Sequence, residues 1–398
     1  MSYQNSNIFI IGDLEKEIIN SQKAIGLNNF LEPILPKVRK EYFIQQENAF
    51  EDKVKDTAAC FLNKYNYGLV PIWGGSDTSF KVVIKISNQK FLNVSVFQYR
   101  ALTLGGARIE ILESKNPMEF SVDMTGEIEA SKKEENEAFF IMLTVDLFLK
   151  EPFGELETDE DPPRYPFTKS SLKVSLIPEK QVAREGILPF SMFIGKIFIR
   201  PDRLELFEEY LPACMTLNSH SRLISFHSTV EKFYNQLELN LLSIIGKIKE
   251  KKQDSTLALS VLALAQNLLN FISVNNLIVR WQLLDLPPVC LFENIASFAR
   301  IIRNTIDCNT AVQKEELLNY FTNWSELKQG DFEKLLVYCI NFEYNHYGIS
   351  NTVDQFSEFV QIMNSLFTKL ESLAYIGKKK ETNIFVKEQT GKRSFLAD

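Results

Sequence analysis

The longest regular hydrophobic pattern of the chain lies between residues 222 and 283. In its first half, eight apolar residues recur at spacings of three and four, which places them on one side of a helix. Two successive spacings of four interrupt a strict heptad, so this stripe should run straighter than the seam of a regular coiled coil. The stripe consists of Leu223, Phe226, Val230, Phe233, Leu237, Leu241, Ile244 and Ile248.

The second half repeats the pattern after a charged linker at 247–256. Asn275 stands where an apolar residue belongs, and a single Asn in a helical seam fixes register and oligomeric state at some cost in stability. We interpret 222–283 as a helical hairpin whose stripe packs against other copies of the chain. About fifteen such side chains, at roughly 1.5–3 kcal/mol each, would suffice to hold an oligomer together. The second half contributes Leu257, Val261, Leu264, Leu268, Phe271, Asn275 and Ile278.

Two other interpretations of the hairpin stay open. A helical core inside a single chain would produce the same stripes. A membrane span is the second, because residues 255–279 contain no charged side chain and are long enough to cross a bilayer. Five Asn and Gln side chains in that stretch argue against a span, since hydrocarbon offers them no hydrogen-bond partner.

The N-terminal half has a different periodicity. Residues 37–64 predict a helix with an inward apolar face, after an irregular lead at 1–35. From residue 69 onward, runs of β-branched and aromatic residues alternate with Gly-Gly and Asn-Pro turns. Short strands in succession, without intervening helices, favour an antiparallel sandwich or barrel over about 68–200. The inward residues of the helix are expected to be Phe43, Phe50, Val54 and Phe61.

Together these patterns predict a multidomain α+β fold. An antiparallel β-sandwich-like domain is followed by a helical-bundle neck and a small helical C-terminal part with a basic tail. Between Lys378 and Arg393 the tail has six basic residues and two acidic ones, and we expect it to be extended or to dock on an acidic partner. The predicted divisions are 1–67, 68–203, 204–308, 309–376 and 377–398.

The bulk composition narrows the function classes. A formal net charge of −7 over 398 residues argues against general nucleic-acid binding, because phosphate contacts need a basic face. The five cysteines are odd in number and widely spaced, which is typical of reduced thiols in a cytosolic protein. The first twenty residues lack the basic and apolar regions of a signal peptide, so we expect a cytoplasmic protein.

The sequence offers little catalytic chemistry. His220 and His227 lie seven positions apart, too far for the paired ligands of a helical metal site, and His346 is expected to cap a helix end. Phosphate-binding loops, nucleophile elbows, paired-cysteine motifs and metalloprotease motifs do not occur in the sequence. We therefore expect no enzyme activity, no metal and no cofactor. The alternative is an enzyme with an unrecognised carboxylate site in the β-rich half.

Six short motifs, in the right order, resemble those of TssK, the trimeric baseplate protein family of type VI secretion systems. The first, at 42–69, resembles the family's HFQQ-type helix and the W/Y-G-L turn that closes it, here read as Tyr67, Gly68 and Leu69. The other five are DPPRYPF at 161–167, ILPFSMFI at 187–194, EYLPACMTLNSHSRL at 209–223, PPVCLFENIASFAR at 287–300 and EYNHYGISNTVDQF at 343–356.

The chain also departs from the family pattern. Ala213 replaces a usual proline, Ser191 and Met192 replace an expected Ala-Arg pair, and residues 309–343 look like an insertion. About 25 residues follow Leu373, where better-known members carry a β-rich head, so the resemblance points to a short subtype of the family.

The resemblance implies a homotrimeric structural adaptor that binds neither a small-molecule substrate nor nucleic acid. Its β-rich half would attach to the TssF/TssG baseplate wedge, through Phe43, Gln45 and Gln46, and its helical neck would form the trimer. Its C-terminal part would face the TssL/TssM complex at the inner face of the bacterial inner membrane, in support of effector secretion and virulence. Without the head, we expect this docking to use Trp324 or Lys378, Lys379, Lys380, Lys387, Lys392 and Arg393.

Overall fold

The computed structural model of the chain describes residues 39–71, 79–112, 116–131, 137–159, 161–200, 203–325 and 330–377. The N-terminal half of these residues contains two antiparallel sheets, and the C-terminal half is helical. The predicted α+β class is therefore confirmed.

Contacts divide the chain into two compact units, and neither unit is continuous in sequence. The first unit comprises Met1–Thr229, Leu277–Glu293 and Glu343–Gln355. The second comprises Val230–Asn276, Asn294–Phe342 and Phe356–Asp398.

The first sheet is built around one long strand, β3 (Phe91–Leu102), to which all its other strands pair antiparallel. Every second residue of β3 from Leu92 to Val96 is fully buried, as the two-residue period of a strand dictates when one face meets a core. The other strands are β1 (Gly68–Leu69), β2 (Phe80–Ser87), β4 (Arg108–Ile111) and β5 (Met118–Asp123).

The second sheet has the strand order β7-β6-β8-β9. Its central strands align Leu143 of β6 with Val174 of β7 on one side and with Met192 of β8 on the other. An irregularity between Asp146 and Lys150 shifts the register of β6 against β7. The strands are β6 (Glu137–Phe153), β7 (Phe167–Pro178), β8 (Ser191–Ile199) and β9 (Leu204–Leu206).

The two sheets meet face to face at Gly195 of β8. A Cβ atom at this position would lie 2.6 Å from the Cδ1 atom of Ile84 in β2 of the other sheet, so the two sheets approach each other closely here. Nearby, the rings of Phe140 and Phe193 stack with their centroids 4.6 Å apart. This is the sandwich-like arrangement that the strand pattern predicts. Two short helices, α2 (Thr125–Ser131) and α3 (Glu179–Glu185), connect strands of the sheets.

Helix α1 (Lys40–Ala59) forms where the sequence predicts it, but its inward face is not the predicted one. Phe50 is 62% exposed, Phe61, just beyond the helix end, is 75% exposed, and Val54 is also exposed. The prediction that these residues point inward is therefore wrong. The physical reason is that charged residues of α1 face the second sheet, as described below.

The C-terminal half begins with two long helices, α4 (Ser221–Glu250) and α5 (Thr256–Trp281), which form the predicted hairpin. The next helix starts at Pro288, as expected for a residue whose missing N–H is not needed in a first turn. The later helices are α6 (Pro288–Asp307), α7 (Ala311–Trp324), α8 (Asp331–Asn341) and α9 (Ile349–Ser372).

The fifteen hairpin positions of the two sequence stripes, from Leu223 to Ile278, form what we call the inner stripe. Twelve of them are at most 4% exposed, and only Phe271, Asn275 and Ile278 are half-buried. In the second unit, Phe233 packs edge-on against Phe298 of α6, with ring centroids 5.7 Å apart. The interpretation that this stripe packs against other copies is wrong, because the chain's own helices cover it.

Candidate functional site

Asn275, expected to act between copies, is bound within its own unit. Its side-chain N–H donates to the carbonyl of Phe271 at 2.9 Å, and its Oδ1 accepts from Asn294 at 2.9 Å. Asn294 in turn accepts from the hydroxyl of Tyr234 at 2.9 Å. Three helices are thereby joined by one hydrogen-bonded chain, so the amide of Asn275 fixes packing inside the second unit.

The hairpin also has apolar residues that the chain leaves exposed. In the second unit these are Leu239 and Leu242 of α4 with Leu259 and Val274 of α5, and we call this set the outer face. Leu239 is 62% exposed and Val274 is 70% exposed. The last two turns of α5 add the exposed side chains of Leu277 and Trp281. The four residues of the outer face lie off the dominant stripe, so the hydrophobic period of the sequence does not reveal them.

Helix α1 is held to the second sheet by its polar side. The Nζ of Lys150 lies 2.8 Å from Glu51 and 3.4 Å from Glu47 of α1. Burial lowers the pKa of Lys150, but hydrogen bonds and charges from the two glutamates outweigh this effect and raise it. At the other end of the helix, Gly106 (φ +81°) allows Ala58 to approach closely.

Turning the polar side inward leaves an apolar face outward on α1. Of the residues expected to contact a wedge protein, Gln45 and Gln46 are exposed and Phe43 is half-buried. They lie on the same helix as the exposed Phe50 and Val54. This orientation cannot be predicted from the local pattern of α1, because Lys150, which sets it, stands about one hundred positions later.

Three motif segments of the first unit converge on His346, and we call this place the His346 junction. The Nε2–H of His346 donates to the carbonyl of Tyr67 at 2.7 Å, and its Nδ1 accepts from the Tyr344 hydroxyl at 2.7 Å. Burial lowers the pKa of His346 to about 4, and the hydrogen bond to Tyr67 opposes this shift. The histidine was expected to cap a helix, but it joins two segments 279 residues apart.

The segment at 209–223 enters the same junction. Gly68 (φ +118°) lies against the carbonyl of Ala213, where any side chain would collide. The next residue, Leu69, forms an isolated parallel β-bridge with Cys214. The Tyr210 hydroxyl donates to the carbonyl of Tyr347 at 3.0 Å. The Tyr-Gly-Leu turn, the segment near residue 213 and the histidine segment are therefore parts of one packed structure.

The remaining histidines also make structural contacts. His227 donates from Nε2 to the carbonyl of Val279 at 2.7 Å. His220 accepts at Nδ1 from the backbone N–H of Arg222 at 3.2 Å. Burial, and to a smaller extent the charge of Arg222, lower the pKa of His220 to about 4. Among the residues that the structure describes, no group of three or more His, Cys, Asp and Glu side chains lies close enough to hold a metal ion.

The two candidate docking regions are Trp324 and the basic residues at 378–393. Trp324 is half-buried at the end of α7, and the Nζ of Lys369 lies 5.7 Å from its ring centre. The lysines and the arginine at 378–393 lie outside the described residues.

Helix α5 is long and apolar enough to cross a membrane by length and composition, and half of its most apolar window is buried inside the protein. Its amides have partners in the second unit: Asn267 donates to Thr305 at 3.0 Å and Asn276 to Asn235 at 3.0 Å. Core helices pass the same length and composition test, and the buried inner stripe is what such a helix requires.

Comparison with protein-family models finds no match, and comparison with curated proteins finds none either. Solved structures do match. TssK of the type VI secretion system from EAEC, in complex with nanobody nb18, has 14% identity and a TM-score of 0.41 over 81% of this chain and 98% of that one. A crystal structure of TssK has 9% identity and a TM-score of 0.42 over 84% and 68%.

A third matching structure comes from the baseplate complex of the type VI secretion system. It has 12% identity and a TM-score of 0.42 over 83% of this chain and 96% of that one. The matched TssK structures carry the name of the family that the six sequence motifs resemble.

Proposed function

We propose that the chain is a non-enzymatic structural component of a type VI secretion baseplate, of the TssK kind and its short, IglD-like subtype. The observation that carries the proposal is the His346 junction. Three of the six motifs that resemble TssK, separated by up to 279 residues, are bound to one another there. A packed structural junction accounts for why these residues occur together, and it needs no substrate.

The adaptor acts as a homotrimer in this proposal, and its self-association uses the outer face. Of the two apolar surfaces of the hairpin, only the outer face is left uncovered by the described residues. The inner stripe is covered by the chain's own helices, whereas Leu239, Leu242, Leu259 and Val274 present apolar side chains to solvent. We infer that these exposed apolar side chains, on two neighbouring helices, form the contact between copies. The predicted division 204–308 would then be the trimer neck.

The wedge contact is assigned to α1. Its outward apolar residues, Phe50 and Val54, lie beside Gln45 and Gln46 on a helix that three charged groups hold in place. A rigid helix with an apolar stripe is a suitable surface for a TssF/TssG-type partner, because little ordering is needed on binding.

Docking to a TssL/TssM-type inner-membrane complex is assigned to the region around Trp324 and to the basic tail. This role would keep a cytoplasmic protein at the inner face of the membrane and would make it necessary for effector secretion and virulence.

The experiment that tests the assignment is recovery of partners from cells that produce the secretion system. Tagged chain should recover wedge proteins, and substitution of Phe50 and Val54 by serine should abolish that recovery. Deletion of residues 378–398 should reduce recovery of the membrane subunits alone. Recovery of neither class by the unaltered chain would overturn the proposed function.

A further inference from the structure

We propose that the start of the segment 378–398 binds within its own chain, in a groove beside helix α7, and that Lys378, Lys379 and Lys380 pair there with Glu315 and Glu316. The groove, which we call the α7 groove, has a volume of about 320 Å³. It is lined by Leu257, Val312, Glu315, Glu316, Asn319, Tyr320 and Asn323.

The described chain ends at a turn that is packed into the second unit. Ile376 is fully buried, and the backbone N–H of Gly377 donates to the hydroxyl of Tyr320 at 3.1 Å. Gly377 has φ +84° and fits closely against Ser255 and Ala258. The segment before residue 378 is therefore fixed in the second unit.

The α7 groove lies within reach of the segment that follows Gly377. Tyr320 both anchors Gly377 and lines the groove, so the chain beyond Gly377 starts at the groove itself. Consecutive Cα atoms are about 3.8 Å apart, and a helix rises about 1.5 Å per residue. The groove wall from Val312 to Asn323 is thus about 16 Å long. About five extended residues would cover that length, and 21 residues follow Gly377.

The described lining of the groove and the segment that follows Gly377 carry opposite charges. Among the described residues, the lining of the groove includes two carboxylates and no Lys or Arg. The segment that leaves Gly377 opens with three consecutive lysines. Thr256 donates to Glu316 at 3.4 Å, which holds that carboxylate at the junction of α5 and α7. Val312, 77% exposed, gives the groove an apolar end that the lysine stems can cover.

The pairing would be weak and reversible. Exposed ion pairs are individually small and are screened by salt. The covalent link nevertheless supplies a high effective concentration, so the lysines stay bound until an acidic partner competes for them. The release of the lysines by an acidic partner rests on the proposed function, in which the basic tail docks on the membrane complex. The binding of the lysines in the α7 groove does not rest on the proposed function.

The test uses the full chain, purified and without partners. Lysine amines are labelled with an acetylating reagent, and mass spectrometry compares Lys378–Lys380 with Lys392, which serves as an internal control in the same molecules. At low salt we expect the first three lysines to react about fivefold more slowly than Lys392. This is about the factor by which one of the stronger solvent-exposed ion pairs would favour the bound form. Salt at about 0.5 M should remove the difference.

The variant pair E315Q/E316Q keeps shape and removes charge, and it should remove the protection at low salt. A matched control, E250Q/E358Q, neutralises two exposed glutamates elsewhere in the second unit and should leave it intact. Equal labelling of all these lysines in the unaltered chain, or protection that survives E315Q/E316Q, would overturn the proposal. Because no partner is present, this result is independent of the partner-recovery experiment.

Discussion

The inner stripe and the outer face lie on the same two helices, α4 and α5, and both consist largely of leucine, valine and isoleucine. The inner stripe is covered within the chain, by residues such as Phe298 of α6. The outer face has no such cover among the described residues, and Val274 is 70% exposed. The residues with the stronger hydrophobic period are therefore those that form the protein's own core. A contact between copies has to be sought among the weaker positions that remain after that core has formed.

The largest expected effect comes from opening the inner stripe. Phe233→Ala should lower the free energy of unfolding by about 3–5 kcal/mol, because it leaves a cavity against Phe298. Chemical denaturation measures this loss. Leu239→Ala on the outer face is the matched control and should change stability by about 0.5 kcal/mol at most. Equal losses in the free energy of unfolding for the two substitutions would contradict the assignment of one surface to the core and the other to solvent.

A second effect is the loss of stability in acid that we expect from His346, which lies in the first unit. The pKa of His346 is lowered in the folded protein from 6.5 to about 4, so the fold favours the neutral ring. Its stabilising contribution is complete above pH 6.5 and is lost as the pH falls toward 4, since the unfolded chain takes up the proton first. We expect a loss of about 2 kcal/mol between pH 7 and pH 5.

His346→Gln provides the control for this acid response. The variant keeps a donor and an acceptor but does not titrate, so its stability should fall less steeply over the same pH range than that of the unaltered chain. His220, whose pKa is lowered in the same direction, contributes equally to both proteins. Identical pH slopes for the two proteins would contradict the assigned role of His346.

A third effect distinguishes an amide that acts within one chain from one that acts between copies. Asn275→Leu removes the acceptor for Asn294, so it should destabilise the protein by about 1–2 kcal/mol without changing the number of chains. An amide in a seam between copies would behave in the opposite way, because leucine there would strengthen the assembly and alter its size. Denaturation and mass measurement on the same sample decide between these results.

The smallest effect on stability is expected at α1. Phe50→Ser combined with Val54→Ser should change the free energy of unfolding by about 0.5 kcal/mol at most, because both side chains are exposed. The same variant should lose the wedge partners in a recovery experiment. Asp56→Asn, on the same helix, should retain them. A large loss of stability in the double variant would mean that this face is part of a core.

Much of the fold follows from periodicity, and the rest depends on contacts between distant residues. The strand-rich half, the hairpin and the helix start at Pro288 could be predicted because each signal lies within a short window. The orientation of α1 could not, since it is set by Lys150 on a strand far along the chain. The structural role of Asn275 could not be predicted either, because the hydrogen bond that it accepts comes from Asn294 on another helix. Sequence could identify the motif residues of the His346 junction but not that they meet.

The most direct test of the central claim is the mass of the protein in solution. The account predicts a particle of three chains, each of 45.9 kDa, that becomes a folded monomer when Leu239 and Leu259 are replaced by aspartate. Val312→Asp, an exposed apolar position outside the outer face, should leave the particle unchanged. A single-chain mass for the unaltered protein, or a trimer that survives the two aspartates, would contradict the claim that the outer face joins copies of this chain.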